Sequence, residues 1–94
     1  MSDLLDQKEL AAALKKLPEW EIEGKALVRT IEFEEFTEAI DFVNDLAEVA
    51  EDAQHHPDID IRYVRVTVSL TTHEVGGITD DDLEIAQRID NLVD

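Results

Sequence analysis

The spacing of apolar residues shifts repeatedly along this chain, and each shift marks the boundary of an element. Leu10, Leu14 and Leu17 recur at helical spacing, Asp6 and Glu9 have the form of a capping box, and Pro18 bars continuation. A first helix is predicted between them, with Lys15 and Lys16 in its last turn, where the helix dipole favours cations. Trp20 to Glu23 alternates, Gly24 and Lys25 offer a turn, and alternation resumes from Leu27 to Phe33 with Leu27, Ile31 and Phe33 in phase. That pattern predicts a hairpin, with Trp20 as a core anchor.

From Phe36 the period becomes helical. Phe36, Ala39, Ile40, Val43, Leu46, Ala47 and Ala50 form one stripe, which predicts a central helix ending near His55-His56-Pro57. Proline disfavours helical geometry in the residue before it, so His56 is expected to be extended at a helix-to-strand junction. Residues 58 to 72 read as strands whose phase slips, because Ile59, Ile61 and Tyr63 are odd while Val66, Val68 and Leu70 are even. A turn or bulge is predicted near Tyr63 to Arg65. A loop through Gly76-Gly77 follows, then Thr79 and Asp82 cap a last helix lined by Leu83, Ala86, Ile89 and Val93. With no repeat or linker, the chain is read as one domain over residues 1–94. The expected fold class is α+β: a four-stranded antiparallel sheet with three helices packed on one face, in the order αββαββα.

Composition narrows the function. With 94 residues the core is thin, which favours a homo-oligomer. No stretch is long and apolar enough to span a membrane, and the acidic start MSDLLDQKEL does not resemble a secretory signal, so a cytoplasmic protein is expected. The chain has no cysteine, which removes disulfides and thiolate chemistry. Its net charge is −16, and the eight basic residues are scattered, so nucleic acid is not an expected partner. Such acidity suits a high-salt, halophilic cytosol, where screening relieves self-repulsion.

All three histidines lie within nineteen positions: His55 and His56 precede the second strand pair and His73 follows it. A hairpin between them returns His73 towards the pair. Imidazoles titrate near pH 6.5, so such a cluster can hold a proton donor and a proton acceptor together. Glu51 stands one helical turn before His55, and Asp82 opens the last helix. Plainer roles exist for each: a polar helix terminus for the histidines, a cap for Asp82, a solvated charge for Glu51. Three imidazoles can also bind a divalent metal, although adjacent histidines diverge on regular elements.

Glu51-Asp52-Ala53-Gln54-His55-His56-Pro57-Asp58, Tyr63, Thr72-His73-Glu74, Gly77 and Asp82 resemble the signature of the pterin-4a-carbinolamine dehydratases in letters and spacing. Trp20, Leu27, Arg29, Phe33, Phe36, Ala39 and Phe42 also follow that family's pattern, so the resemblance runs through nearly the whole domain. It implies dehydration of a 4a-hydroxytetrahydropterin to the quinonoid dihydropterin, with no metal or other cofactor. His55 and His73 would be the acid–base pair and His56 would bind and orient the substrate. Glu51 and Asp82 would hold imidazole tautomers or contact pterin nitrogens, and Pro57, Asp58, Thr72 and Glu74 would complete the substrate surface. The resemblance also implies a homodimer or homotetramer. Gln54 and Ile59 depart from the acidic residue and tryptophan that animal members often carry, which bears on the pterin side chain accepted. Some members also act as dimerization cofactors of a homeodomain transcription factor, a role for which these residues give no support. A non-catalytic pterin-binding or protein-interaction module is the alternative on the same fold.

Overall fold

The computed structural model describes residues 3–94. Its elements are α1 (Gln7–Lys16), β1 (Glu21–Glu23), β2 (Ala26–Glu32), α2 (Phe36–Ala53), β3 (Asp58–Arg62), β4 (Arg65–Leu70) and α3 (Asp80–Val93). This is the expected αββαββα order. The strands form one antiparallel sheet in the spatial order β1-β2-β4-β3, so the second hairpin is inserted with β4 against β2 and β3 at an edge.

Local chemistry sets the helix limits. Asp6 accepts the Glu9 backbone N–H at 2.8 Å while Glu9 accepts that of Asp6 at 3.0 Å, closing the capping box that starts α1. At the far end of α2 the Gln54 N–H donates to Glu51 O at 3.2 Å and the His55 N–H to Ala50 O at 3.1 Å. With Gln54 left-handed at φ 53, this is a Schellman motif. It ends the helix at Ala53 and turns His55 out of the helical path.

The phase slip in the second strand pair comes from its connection. Tyr63 and Val64 form a two-residue turn with Tyr63 at φ 56, and Ile61 pairs with Val66 and Ile59 with Val68. An even-length turn puts odd positions of one strand opposite even positions of the next, so no bulge is needed. One sheet face therefore carries Leu27, Ile31, Val66, Val68 and Leu70, all buried beneath the helices. Full burial of each such side chain stabilises the fold by about 1.5–3 kcal/mol.

The stripe on α2 differs from the sequence expectation. Ala39, Phe42, Leu46 and Ala50 are buried, whereas Phe36 is 55% exposed and Ala47 faces solvent. Phe42 belongs to the buried stripe, and its ring meets that of Phe33, just beyond β2, with centroids 5.4 Å apart. α3 also buries two acids, Asp82 and Asp90. Asp90 accepts from Trp20 Nε1 at 2.8 Å and pairs with Arg29, whose guanidinium also reaches Asp94 at 3.2 Å. Burial pulls the Arg29 pKa down, but hydrogen bonds and charge from Asp94 and Asp90 outweigh it and leave the pKa raised. No helix among the described residues is long and apolar enough to cross a membrane.

Candidate active site

The end of α2, the loop after β4 and the start of α3 converge at one corner. Thr72 pairs with Gly77 in an isolated bridge, Thr72 N donating to Gly77 O at 2.8 Å, which folds residues 72–77 into a tight loop. Gly76 takes φ 72 there, a conformation that glycine tolerates without steric cost. Thr79 then caps α3 through a hydrogen bond from the Asp81 N–H at 3.2 Å, while Asp82 returns to the Thr79 N–H at 2.9 Å. The cap expected from the sequence is present, and the same carboxylate has a second task.

Asp82 Oδ1 lies 2.5 Å from His55 Nε2, and Asp82 Oδ2 also accepts from the Thr72 hydroxyl at 2.9 Å. Asp82 is fully buried and the His55 side chain is 16% exposed, so this contact is shielded from water on one side only. A buried carboxylate can orient an imidazole and stabilise its protonated form. His56 is arranged differently: its Nε2 meets Glu51 Oε2 at 2.6 Å, with 64% and 76% of the two side chains exposed. An exposed pair of that kind is weakly coupled and free to move when a ligand arrives.

Beside His55 is a cavity of about 310 Å³, at the lower end of the range for small-molecule sites. His55, Thr72 and Glu74 line it, together with Gln54, Arg88 and the carboxylates of Asp52, Asp81 and Glu84. Arg88 donates to Asp52 at 3.1 Å across its rim. Glu51, His56, Pro57, Asp58 and His73 lie outside that lining. His73 is the residue after Thr72 and is exposed, so the Thr72–Asp82–His55 contacts tie its loop to the first imidazole. Asp58 begins β3 opposite Ser69, on the open face of the sheet. Among the described residues no group of three or more His, Asp or Glu side chains is gathered to hold a metal ion. A larger hollow, about 560 Å³, lies at the Tyr63 turn and is lined by none of the histidines.

The sequence marks Thr79 only as a helix cap and does not mark Arg88 as part of the site. A threonine at a helix start is explained by capping alone, and the position of Arg88 opposite Asp52 depends on how α2 and α3 pack.

Fold and corner together define an α+β domain with a carboxylate-oriented imidazole at the mouth of a polar cavity. The sequence profile described as Pterin 4 alpha carbinolamine dehydratase matches residues 3–92. The chain belongs to this family. A relative from Thermomicrobium roseum bearing the pterin-4-alpha-carbinolamine dehydratase name is 53% identical over 88 residues, covering 94% of this chain and 95% of that one. Another of the same name, from a Picosynechococcus strain, is 48% identical over 92 residues, 98% of this chain and 100% of the relative. The crystal structure of a transcriptional coactivator/pterin dehydratase from Brucella melitensis matches with a TM-score of 0.93 and 32% identity, covering 98% of this chain and 100% of that one. A pterin dehydratase-like protein identified as a RuBisCO assembly factor shares the fold at a TM-score of 0.64 and 22% identity, over 78% of this chain and 84% of that one. The fold alone thus does not determine activity, and the argument for chemistry lies in the side chains.

Proposed function

We propose that this chain dehydrates a 4a-hydroxytetrahydropterin to the quinonoid dihydropterin and water by histidine acid–base catalysis. The observation that carries the reading is His55, fixed by a buried carboxylate at the edge of a cavity, in a chain of the pterin dehydratase family. Hydroxide is a poor leaving group. A protonated imidazole supplies the proton it needs as the C4a–O bond breaks, and a second base takes the N5 proton as the C4a=N5 bond forms. His55 and His73 are assigned these two roles. His56, oriented by Glu51, binds substrate, and Pro57, Asp58, Thr72 and Glu74 form the surface around it. Asp82 holds the His55 ring.

General acid–base assistance contributes about 10²- to 10⁴-fold, so His55→Ala and His73→Ala should each slow turnover of the 4a-hydroxy substrate by that order while the circular dichroism spectrum stays unchanged. Rates equal to wild type would reject the assignment. Activity indifferent to chelator favours metal-free chemistry, whereas pterin binding without turnover would make the chain a binding module.

The same reading takes the protein to be a cytoplasmic homodimer or homotetramer. β3 is an edge strand carrying Ile59 and Ile61, 38% and 39% exposed, and Phe36 is also uncovered. Pairing of such surfaces between copies would bury them. Sedimentation at micromolar concentration that returns a monomer of 10.6 kDa would refute this.

A further inference from the structure

Thr72 is 8% exposed, and its hydroxyl has two protein partners, Asp82 and Thr79. Its hydrogen goes to Asp82 Oδ2 at 2.9 Å. The 2.8 Å contact between Thr72 Oγ1 and Thr79 Oγ1 therefore has only one workable direction, with Thr79 donating and Thr72 accepting. Thr79 Oγ1 accepts in turn from the Asp81 N–H at 3.2 Å. Hydrogens thus point one way, from the α3 backbone through two buried hydroxyls to the carboxylate. Asp82 Oδ2 receives two donors, Thr72 and the Thr79 N–H, and its Oδ1 faces His55 Nε2.

We propose that Thr72 and Thr79 are positioning residues whose one-way hydrogen-bond chain keeps Asp82 an acceptor, holds His55 as the Nε2–H tautomer, and makes Nδ1 the atom that exchanges a proton with substrate. This rests on the reading of His55 as an acid–base residue. Among the described residues Nε2 alone of the two ring nitrogens has a protein partner, and no buried nitrogen is left without one, so Nδ1 is the accessible nitrogen of a residue that lines the cavity. In the reaction, Nδ1–H of the imidazolium passes its proton to the 4a oxygen as the C4a–O electron pair leaves with it, giving water. The N5–H pair becomes the new C4a=N5 bond and that proton goes to the second base. Asp82 and the Nε2 proton are unchanged throughout.

Nitrogen-15 spectra of the imidazoles, recorded above the pH at which they titrate, test the tautomer directly. Wild type should show His55 protonated at Nε2; protonation at Nδ1 overturns the proposal without any variant. In Asp82→Asn the two donors on Oδ2 force the amide oxygen towards the threonines and its NH₂ towards His55. The His55 tautomer should invert, and turnover should fall at least 100-fold, as wrong-tautomer variants of oriented imidazoles do. Thr72→Val, which keeps the shape and removes the hydroxyl, should give mixed tautomers, about a 10-fold loss in kcat and an altered pH profile, with a smaller change in KM. Thr72→Ser should restore all of these. An unmixed Nε2–H signal and a wild-type pH profile in Thr72→Val would refute the hydrogen-bond chain. Wild-type turnover in His55→Ala would instead sink the catalytic reading, leaving the tautomer result to stand or fall separately.

Discussion

Arg29→Met is the sharpest test of how the core tolerates its charges. Arg29 lies on the buried face of β2, opposite Val68, and its guanidinium bridges Asp90 and Asp94 of the last helix. Asp90 has an 11% exposed side chain, and without Arg29 its remaining partner is Trp20 Nε1–H at 2.8 Å. Removing one partner of a buried pair typically costs 3–5 kcal/mol because the other charge is left uncompensated. The Asp94 contact adds little, since that side chain is 56% exposed. Domains of this size are stable by about 5–15 kcal/mol, so the substitution removes a large share of the total. A melting temperature lower by about 15–30 °C follows from the usual dependence for small domains. Guanidinium unfolding followed by Trp20 fluorescence gives the free energy. Arg29→Met combined with Asp90→Asn should recover most of the loss, because the orphan charge is gone while an oxygen still accepts from Trp20. A single-variant loss under about 1 kcal/mol, or simple additivity in the double variant, would refute the reasoning.

Gly76→Ala should destabilise by about 1–2 kcal/mol, since Gly76 sits at φ 72, while Gly77→Ala should cost under about 1 kcal/mol. At Gly77 the added carbon meets, among the described residues, only Leu4 Cδ2, at 2.6 Å, the tip of a half-exposed side chain able to move aside; equal losses in chemical denaturation would contradict this. Gln54→Gly should raise stability by roughly 0.5–1 kcal/mol by relieving the left-handed residue at the end of α2, and a lower unfolding midpoint would count against it. A net charge of −16 predicts that the unfolding midpoint rises from dilute buffer to molar potassium chloride; a flat profile would remove the case for adaptation to high salt.

Much of this architecture is legible in the chain because local signals agree with it. Asp6 and Glu9, Thr79 and Asp82, and the phase change between Ile61 and Val66 each name a boundary through chemistry that acts over a few residues. What stayed hidden depends on packing between distant segments. Nothing near Arg29 announces a carboxylate 61 residues away, and which of two overlapping apolar stripes on α2 meets the core depends on partners such as Phe33, whose ring packs on Phe42. The site shows the same division. Family resemblance points to the histidines and to Asp82, but the joining of cap and imidazole through one carboxylate requires the ends of α2 and α3 to meet. Arg88 carries no local signal at all, because its partner Asp52 is 36 positions upstream.

Backbone hydrogen bonds end α2, so no hydrogen bond from the side chain at position 54, a residue lining the cavity, is needed to place His55. On the proposed reading, exchanging Gln54 would then reshape the wall of that cavity while the His55–Asp82 contact stays in place.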